Sequence, residues 1–502
     1  MSIGVAGMCV VILLAFTAFG SALSQAGYAT STSTETSSSS IATSALSVVP
    51  PPQSAGTIAD SVKTVCNYTI SLNGTTPIAR SQSGAMAQDQ QGADVGALVN
   101  GLLSPHEELC IGPGDFLVAS EILVQHLVGV TLNLDPATFM NASGGYRAFA
   151  RPFFRTSLLL VNASPDTVVR GGHWIGPGGG ETSVIRIQTG SNDSVVEDAD
   201  VSHAGWDGIL IYDDTGPSFN VSVCNNLVHE NGRYGVQEYA NETTGFTGNV
   251  ISGNDVLDNR VGGIYTNRVT GATVAQNVVR NTLGEGPGKI GIGVTNGGND
   301  TVASNRVEQM GWFGIQAYYN NYTVISDNIS ILNSGSEDQS GITNDHSSFD
   351  KITNNDVEKN GRYGIYVERS WNVTISGNTA DDNMGYGIEL NHGSSRAMGK
   401  SNISSNSCSS NGLGGIILNS AIDNEVSMNT CDNNAGDGIL LYNDDGQAGS
   451  TGNLVSDNFV GNVGGATPQA FGVVEANDSG NNTLLSNTLS GNAISGASLL
   501  GA

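Results

Sequence analysis

Apolar side chains along this chain recur neither at helical spacing nor in long runs; they fall in short alternating segments punctuated by glycine. Gly followed by Ile or Val stands at Gly208, Gly235, Gly263, Gly291, Gly314, Gly341, Gly364, Gly387, Gly415 and Gly438. The base interval is 23 residues, lengthened in places by four or five. A constant period with insertions confined to one point of the repeat marks a stacked solenoid whose loops lengthen at one corner. The residues after these glycines, from Ile209 and Val236 to Ile416 and Ile439, form a β-branched column that reads as a buried stack. Segments such as Gly364-Ile365-Tyr366-Val367 and Asn372-Val373-Thr374-Ile375 alternate with period two, as short strands do.

Two polar columns keep the same register. Asn226, Asn254, Asn305, Asn355, Asn378, Asn406 and Asn429 lie nine residues before the glycines, and Asn231, Asn259, Asn360, Asn383, Asn411 and Asn434 lie four before. Asn tolerates left-handed backbone and its amide bonds to an Asn one coil away, so both columns read as corner ladders. Parallel strands ~4.8 Å apart, three per turn, give an all-β fold: a single-stranded right-handed parallel β-helix over residues 115–492. Residues 57–114 form an N-terminal cap region and 493–502 a C-terminal tail. Cys408 and Cys431 occupy the inward column held elsewhere by Val228, Val256, Val307 and Val357, and read as an unbridged ladder. Cys66 and Cys110 flank the first folded segment and could close it with a disulfide.

Residues 1–24 hold one apolar run, Met8 to Phe16, followed by small residues, the mark of a signal peptide or an N-terminal membrane anchor. Residues 25–56 are mostly Ser, Thr and Ala with Pro50-Pro51-Pro52, a composition expected to form a disordered linker. Fourteen Asn-x-Ser/Thr triplets fit an exported glycoprotein at the cell surface or beyond. With 19 Lys plus Arg against 46 Asp plus Glu, the net charge of -27 repels phosphate backbones, which excludes nucleic acid as partner. Gly286, Gly288 and Gly291 satisfy a dinucleotide-type spacing but run into a repeat strand and open no helix, so no nucleotide is expected.

Candidate chemistry lies on the outward strand positions, which line up from coil to coil. Asp345 and Glu368 share one column on adjacent coils, where two carboxyls within ~5 Å drive their pKa values apart and make an acid and a base. His346, Arg369 and His392 follow in the neighbouring column, supplying proton transfer and a cation for a uronate carboxylate. Tyr318 and Tyr366 offer sugar-stacking rings or phenolic protons, with Tyr239 and Arg268 as further binding positions on earlier coils. Stacked polar residues on a solvated sheet face are also what any β-helix displays.

These repeats resemble the pectin-lyase-like superfamily from about Ala93 to Asn492. Gly92 to Leu103 is similar to its short N-terminal capping helix, and Val168-Val169-Arg170-Gly171-Gly172-His173-Trp174-Ile175-Gly176 to a coil of its polygalacturonase-like members. Tyr386-Gly387-Ile388-Glu389-Leu390-Asn391-His392 resembles the Tyr-Gly-hydrophobic-Asp-Pro-His-Asp site of mannuronan C5-epimerases, with Glu389 for Asp, no Pro, and His392 displaced by one residue. The Gly-His-Gly and Arg-Ile-Lys signatures of polygalacturonases occur nowhere. The resemblance to pectate lyases implies Ca²⁺ as the one cofactor to consider, held by carboxylates such as Asp345 and Glu368.

The sequence thus leads to an extracellular polysaccharide as partner and, first, to a uronan lyase or C5-epimerase type of enzyme. A non-catalytic surface adhesin or glycan-binding β-helix is the alternative from another class, and a glycoside hydrolase using the carboxylate pair is the enzymatic rival.

Overall fold

Glycine recurs in this chain because the coils leave no room for a Cβ. A methyl on Gly364 would lie 2.5 Å from the carbonyl oxygen of Gly387 on the next coil and 2.7 Å from Asn383 Nδ2. The following residue can then turn inward: Ile209, Val236, Ile264, Ile292, Ile315, Ile342, Ile365, Ile388, Ile416 and Ile439 are all fully buried. In a computed structural model the described residues are 66–81, 94–141, 156–213, 216–240, 247–281, 289–334, 340–391, 399–443, 449–462, 469–493 and 497–500. All belong to one compact unit, and they form the parallel β-helix read from the repeat.

Three parallel sheets run along the axis. One has fifteen strands, from Ile122–Gln125 to Ala497–Leu500, and carries the glycine and isoleucine columns. Its register is strict: Ile315 pairs with Ile342, Ile342 with Ile365 and Ile365 with Ile388. The other faces are built from three-residue strands such as Lys351–Thr353 and Thr374–Ser376. The first coil pairs Glu108 with Thr131 and Phe116 with Phe139. An antiparallel hairpin, Tyr68–Asn73 with Thr76–Ser81, adds to that coil by pairing Tyr68 with Leu109. The helix Val95–Leu102 buries Val95, Leu98 and Val99, and Asp94 caps it by accepting from the N–H groups of Gly96 and Ala97. Cys66 and Cys110 form a disulfide, and Cys408 and Cys431 are buried and unbridged.

The asparagine ladder is longer than the offset from glycine indicates. Asn254 Nδ2 donates to Asn277 Oδ1, Asn277 to Asn305, Asn305 to Asn328 and Asn328 to Asn355, each at 2.9–3.0 Å. Asn277 and Asn328 escape the count of nine because they stand fourteen and thirteen residues before Gly291 and Gly341, five and four more than the other ladder positions. A second correction concerns the backbone. The left-handed position is the residue before each ladder Asn, with φ of 56° at Asn225 and Asn354, 59° at Gln276 and 58° at Met428. The ladder residue itself is buried, and its amide satisfies backbone groups of the adjoining coils.

The leader at 1–24 and the linker at 25–56 lie outside the described residues.

Candidate active-site groove

Strand alternation puts residues two and four positions after each glycine on the outer face of the fifteen-stranded sheet. One outer column runs Tyr318, Asp345, Glu368, Asn391 and Asn419, as consecutive register partners. The other runs Gln316, Thr343, Tyr366 and Glu389. Both columns border a groove of about 760 Å³ to which Tyr318, Asp345, Tyr366, Glu368, Glu389 and Asn391 contribute. Gly293 helps to shape it: without a side chain there, the Tyr265 ring lies over the strand, 2.7 Å from where a Cβ would stand.

Asp345 and Glu368 face each other across one strand spacing, ~4.8 Å. Each has a basic neighbour. His346 Nδ1 is 2.6 Å from Asp345 Oδ1, an electrostatic contact not aligned for a hydrogen bond, and Arg369 is 3.2 Å from Glu368 Oε1. Both carboxyls nevertheless titrate above the ordinary carboxylate range. For Asp345 burial is the chief cause, opposed by His346 and Arg369. For Glu368 burial comes first and the charge of Asp345 second.

Glu389 is the deepest acid of the groove, 4% exposed, and burial pushes its pKa up to about 7 against hydrogen bonds from Tyr363, Asn419 and Asn391. Asn391 Nδ2 reaches both Glu389 Oε1 and the Tyr366 hydroxyl at 3.4 Å, and Tyr366 in turn bonds to Glu368. A polar chain therefore links Glu368 to Glu389 through a phenol and an amide. Burial, reinforced by the adjoining glutamates, raises the Tyr366 and Tyr363 phenols well beyond the usual range, so both remain proton donors.

The remaining candidates are spread out. His346 and Arg369 stand at left-handed corner positions on the rim, with φ of 51° and 46°. Tyr319 stacks on His346 with ring centroids 4.4 Å apart. Tyr239 stacks on Tyr212 at 5.8 Å, three coils from Tyr318, and Arg268 occupies a corner with φ of 60°; neither borders the groove. His392 lies outside the described residues.

Several groove residues escaped the outward-column reading: Trp312, Phe313, Arg362 and Tyr363. Tyr363 lies parallel to Tyr366 at 4.8 Å, and the Arg362 guanidinium sits 4.5 Å from the Tyr363 ring centre. A signal for them exists, since an aromatic residue directly precedes the repeat glycine at Tyr234, Phe313, Tyr363 and Tyr386.

Ca²⁺ requires six to eight oxygens converging on one point. Asp345 and Glu368 instead direct oxygens toward His346 and Arg369, and the groove shows no convergent trio of His, Cys, Asp or Glu ligand atoms among the described residues. The residues as placed do not fit that ion.

Residues 178–279, 247–402 and 340–502 match the family model of the right-handed β-helix region. The chain belongs to that family. As a right-handed β-helix it is similar to the tailspike protein of Dettilon, with 17% identity, 59% of this chain and 62% of that one covered, and a TM-score of 0.42. It is also similar to the A-module of mannuronan C-5 epimerase AlgE4 from Azotobacter vinelandii, with 14% identity over 82% and 96% of the two chains and a TM-score of 0.31. The surface adhesin PfbA of Streptococcus pneumoniae matches at 13% identity over 70% and 88%, with a TM-score of 0.42. No curated protein matches the chain. At such identities the likeness concerns the β-helix fold, and the chemistry has to be argued from this chain's own residues.

Proposed function

We propose that this right-handed β-helix is an exported enzyme that acts on a polysaccharide, binding the glycan in the groove and processing it by acid–base chemistry between Asp345 and Glu368. The observation that carries this reading is the register of those two carboxyls one strand apart, in a partly buried groove walled by tyrosines. Two carboxyls so placed share a proton over part of the pH range, leaving one acid and one base. Tyr366 bonds to Glu368, and Asn391 donates both to the Tyr366 hydroxyl and to Glu389, a third acid that titrates near neutrality, so the amide holds the phenol and the third carboxyl in place beside the pair. Tyr318 and Tyr363 offer apolar faces and hydroxyls to a sugar ring.

Of the two reaction types, glycosidic hydrolysis by the carboxyl pair fits this geometry best. Retaining glycosidases hold their carboxyls ~5–5.5 Å apart, close to the strand spacing that separates Asp345 and Glu368. A uronan would bring negative charge to a groove with three carboxyls, while Arg369 already lies against Glu368 and Arg362 against Tyr363. Lyase or epimerase chemistry is the second reading. It is favoured by the phenol of Tyr366 bonded to Glu368 and by His346 beside Asp345, which would serve as acid and base.

Incubation with neutral glycans, pectate, alginate and glycosaminoglycans distinguishes them. Hydrolysis releases reducing ends without ultraviolet absorbance; a lyase leaves an unsaturated uronate that absorbs; an epimerase changes sugar configuration without cleavage. Binding in the groove with no turnover of any glycan overturns the enzymatic reading in favour of an adhesin.

A further inference from the structure

Away from the groove, on a different face of the solenoid, three of the chain's seven histidines gather with two carboxylates on consecutive coils. The strands His173–Ile175, Asp200–Ser202 and Leu227–His229 are stacked neighbours. Trp174, Val201 and Val228 point inward and are fully buried, so alternation turns His173, Asp200 and His229 outward. His203 and Glu230 follow at adjacent left-handed corners, with φ of 57° and 53°.

The hydrogen bonds fix which nitrogen of His229 is available. Asp200 spends both oxygens on imidazoles: His173 Nδ1 lies 2.6 Å from Oδ2, and His229 Nε2 lies 2.9 Å from Oδ1. A carboxylate only accepts, so each of these nitrogens carries the proton. The neutral His229 ring therefore presents its lone pair at Nδ1, and that atom faces Glu230 Oε2 at 3.9 Å. Two acceptors at this separation cannot bond to each other, but one metal ion bridges them, since Zn–N and Zn–O bonds of ~2.1 Å span up to ~4.2 Å. His203 Nε2 lies 3.1 Å from the same Oε2, so in the metal-free protein this nitrogen carries the proton; an ion that binds there displaces it, and the separation is close to the ~3.3 Å edge of a tetrahedral zinc site.

We propose that His203, His229 and Glu230 form a site for a divalent transition ion of the Zn²⁺ type, with Asp200 as the positioning carboxylate behind His229. A ligating imidazole that donates its other N–H to a carboxylate is the usual supporting arrangement in such sites. Two nitrogens and one oxygen select Zn²⁺ or Cu²⁺ over Ca²⁺ or Mg²⁺. The three ligand atoms do not all lie within 4.8 Å of one another, so binding requires the half-exposed His203 ring to rotate about its side-chain torsions and close the third edge. Water completes the coordination.

The test is Zn²⁺ binding to the full chain after chelator treatment, measured by competition with a chromophoric chelator. One ion per chain is expected, with affinity lowered about a hundredfold or more in His229→Ala and about 10–100-fold in Asp200→Asn. Zn²⁺ should raise the melting temperature of the wild type but not of His229→Ala, which separates loss of the site from loss of the fold. His126→Ala, on a coil outside the cluster, should bind as the wild type does. Absence of saturable binding, or equal affinity in the wild type, His229→Ala and Glu230→Gln, overturns the proposal.

Discussion

Asp345 and Glu368 are register partners on adjacent coils, and each has its basic neighbour one residue later in sequence, His346 and Arg369. The charge of Asp345 is the second cause, after burial, of the upward shift at Glu368. Asp345→Asn should therefore lower the pKa of Glu368, read as a downward shift of the protonation-dependent limb of the pH–rate profile. Glu368→Gln should cost ~10²–10⁴-fold in turnover with the melting temperature kept. An unmoved limb in Asp345→Asn would show that the two carboxyls do not act together.

Stability should be greatest in acid and fall toward alkaline pH. Asp213, Glu238, Asp300 and Asp350 are at most 2% exposed, and burial lifts their pKa values from 3.8 or 4.5 to about 7, 8, 7 and 8. Below the unfolded values these groups are protonated in both states and their stabilising contribution is complete. As pH rises toward the folded values, the unfolded chain gives up protons that the native state keeps, and stability declines. Melting temperatures measured from pH 4 to about pH 9 should fall through this window. Glu238→Gln and Asp350→Asn should flatten the slope; a slope unchanged in both would remove these carboxyls as its cause.

The core column should be sensitive to both loss and gain of volume. Ile342→Ala empties a fully buried site beneath the groove and should cost ~2–5 kcal/mol. Gly364→Ala, pressed against the Gly387 carbonyl, should cost ~1–3 kcal/mol although it adds a single methyl. Chemical denaturation of the two variants checks both values.

Neighbouring asparagines should respond in opposite directions. Asn355 donates to Asn378 Oδ1 and to the Ile325 carbonyl, and its own N–H bonds to Asn378, so Asn355→Ala should lose ~1–3 kcal/mol by stranding buried partners. Asn354 sits at φ 56°, where glycine is at ease, so Asn354→Gly should be neutral or mildly stabilising. Equal destabilisation by the two would contradict the assignment of the left-handed position.

Cys408 and Cys431 are fully buried, and burial holds the Cys408 thiol well above its ordinary pKa. Neither should react with a thiol reagent in the native state, while both should react on unfolding. Fast native labelling would mean that this part of the solenoid opens.

What the sequence determined by itself was everything that repeats. A column of β-branched residues after a glycine has one physical solution, a parallel stack, because each coil must present the same side chain to the same neighbour. The fold, the inward isoleucines, the stacked inward cysteines and the adjacency of Asp345 to Glu368 all follow from that periodicity, while the structure shows the cysteines unbridged. Tertiary structure decided what depends on how far the chain deviates from the period. Insertions hid Asn277 and Asn328 from a count that their hydrogen bonds ignore. Alternation alone could not place Tyr363 or Arg362, because Arg362 precedes the strand and Tyr363 is its first residue, with the same parity as the inward Ile365. Glu238 was invisible for a similar reason: it takes an inward position otherwise occupied by residues such as Ile211, Val294 and Leu390, and only its burial beside Asn249 makes it a titrating group near neutrality. The cluster of His203, His229 and Glu230 joins two corners of successive coils, so its members are separated by a repeat length in sequence and by a few ångströms in space.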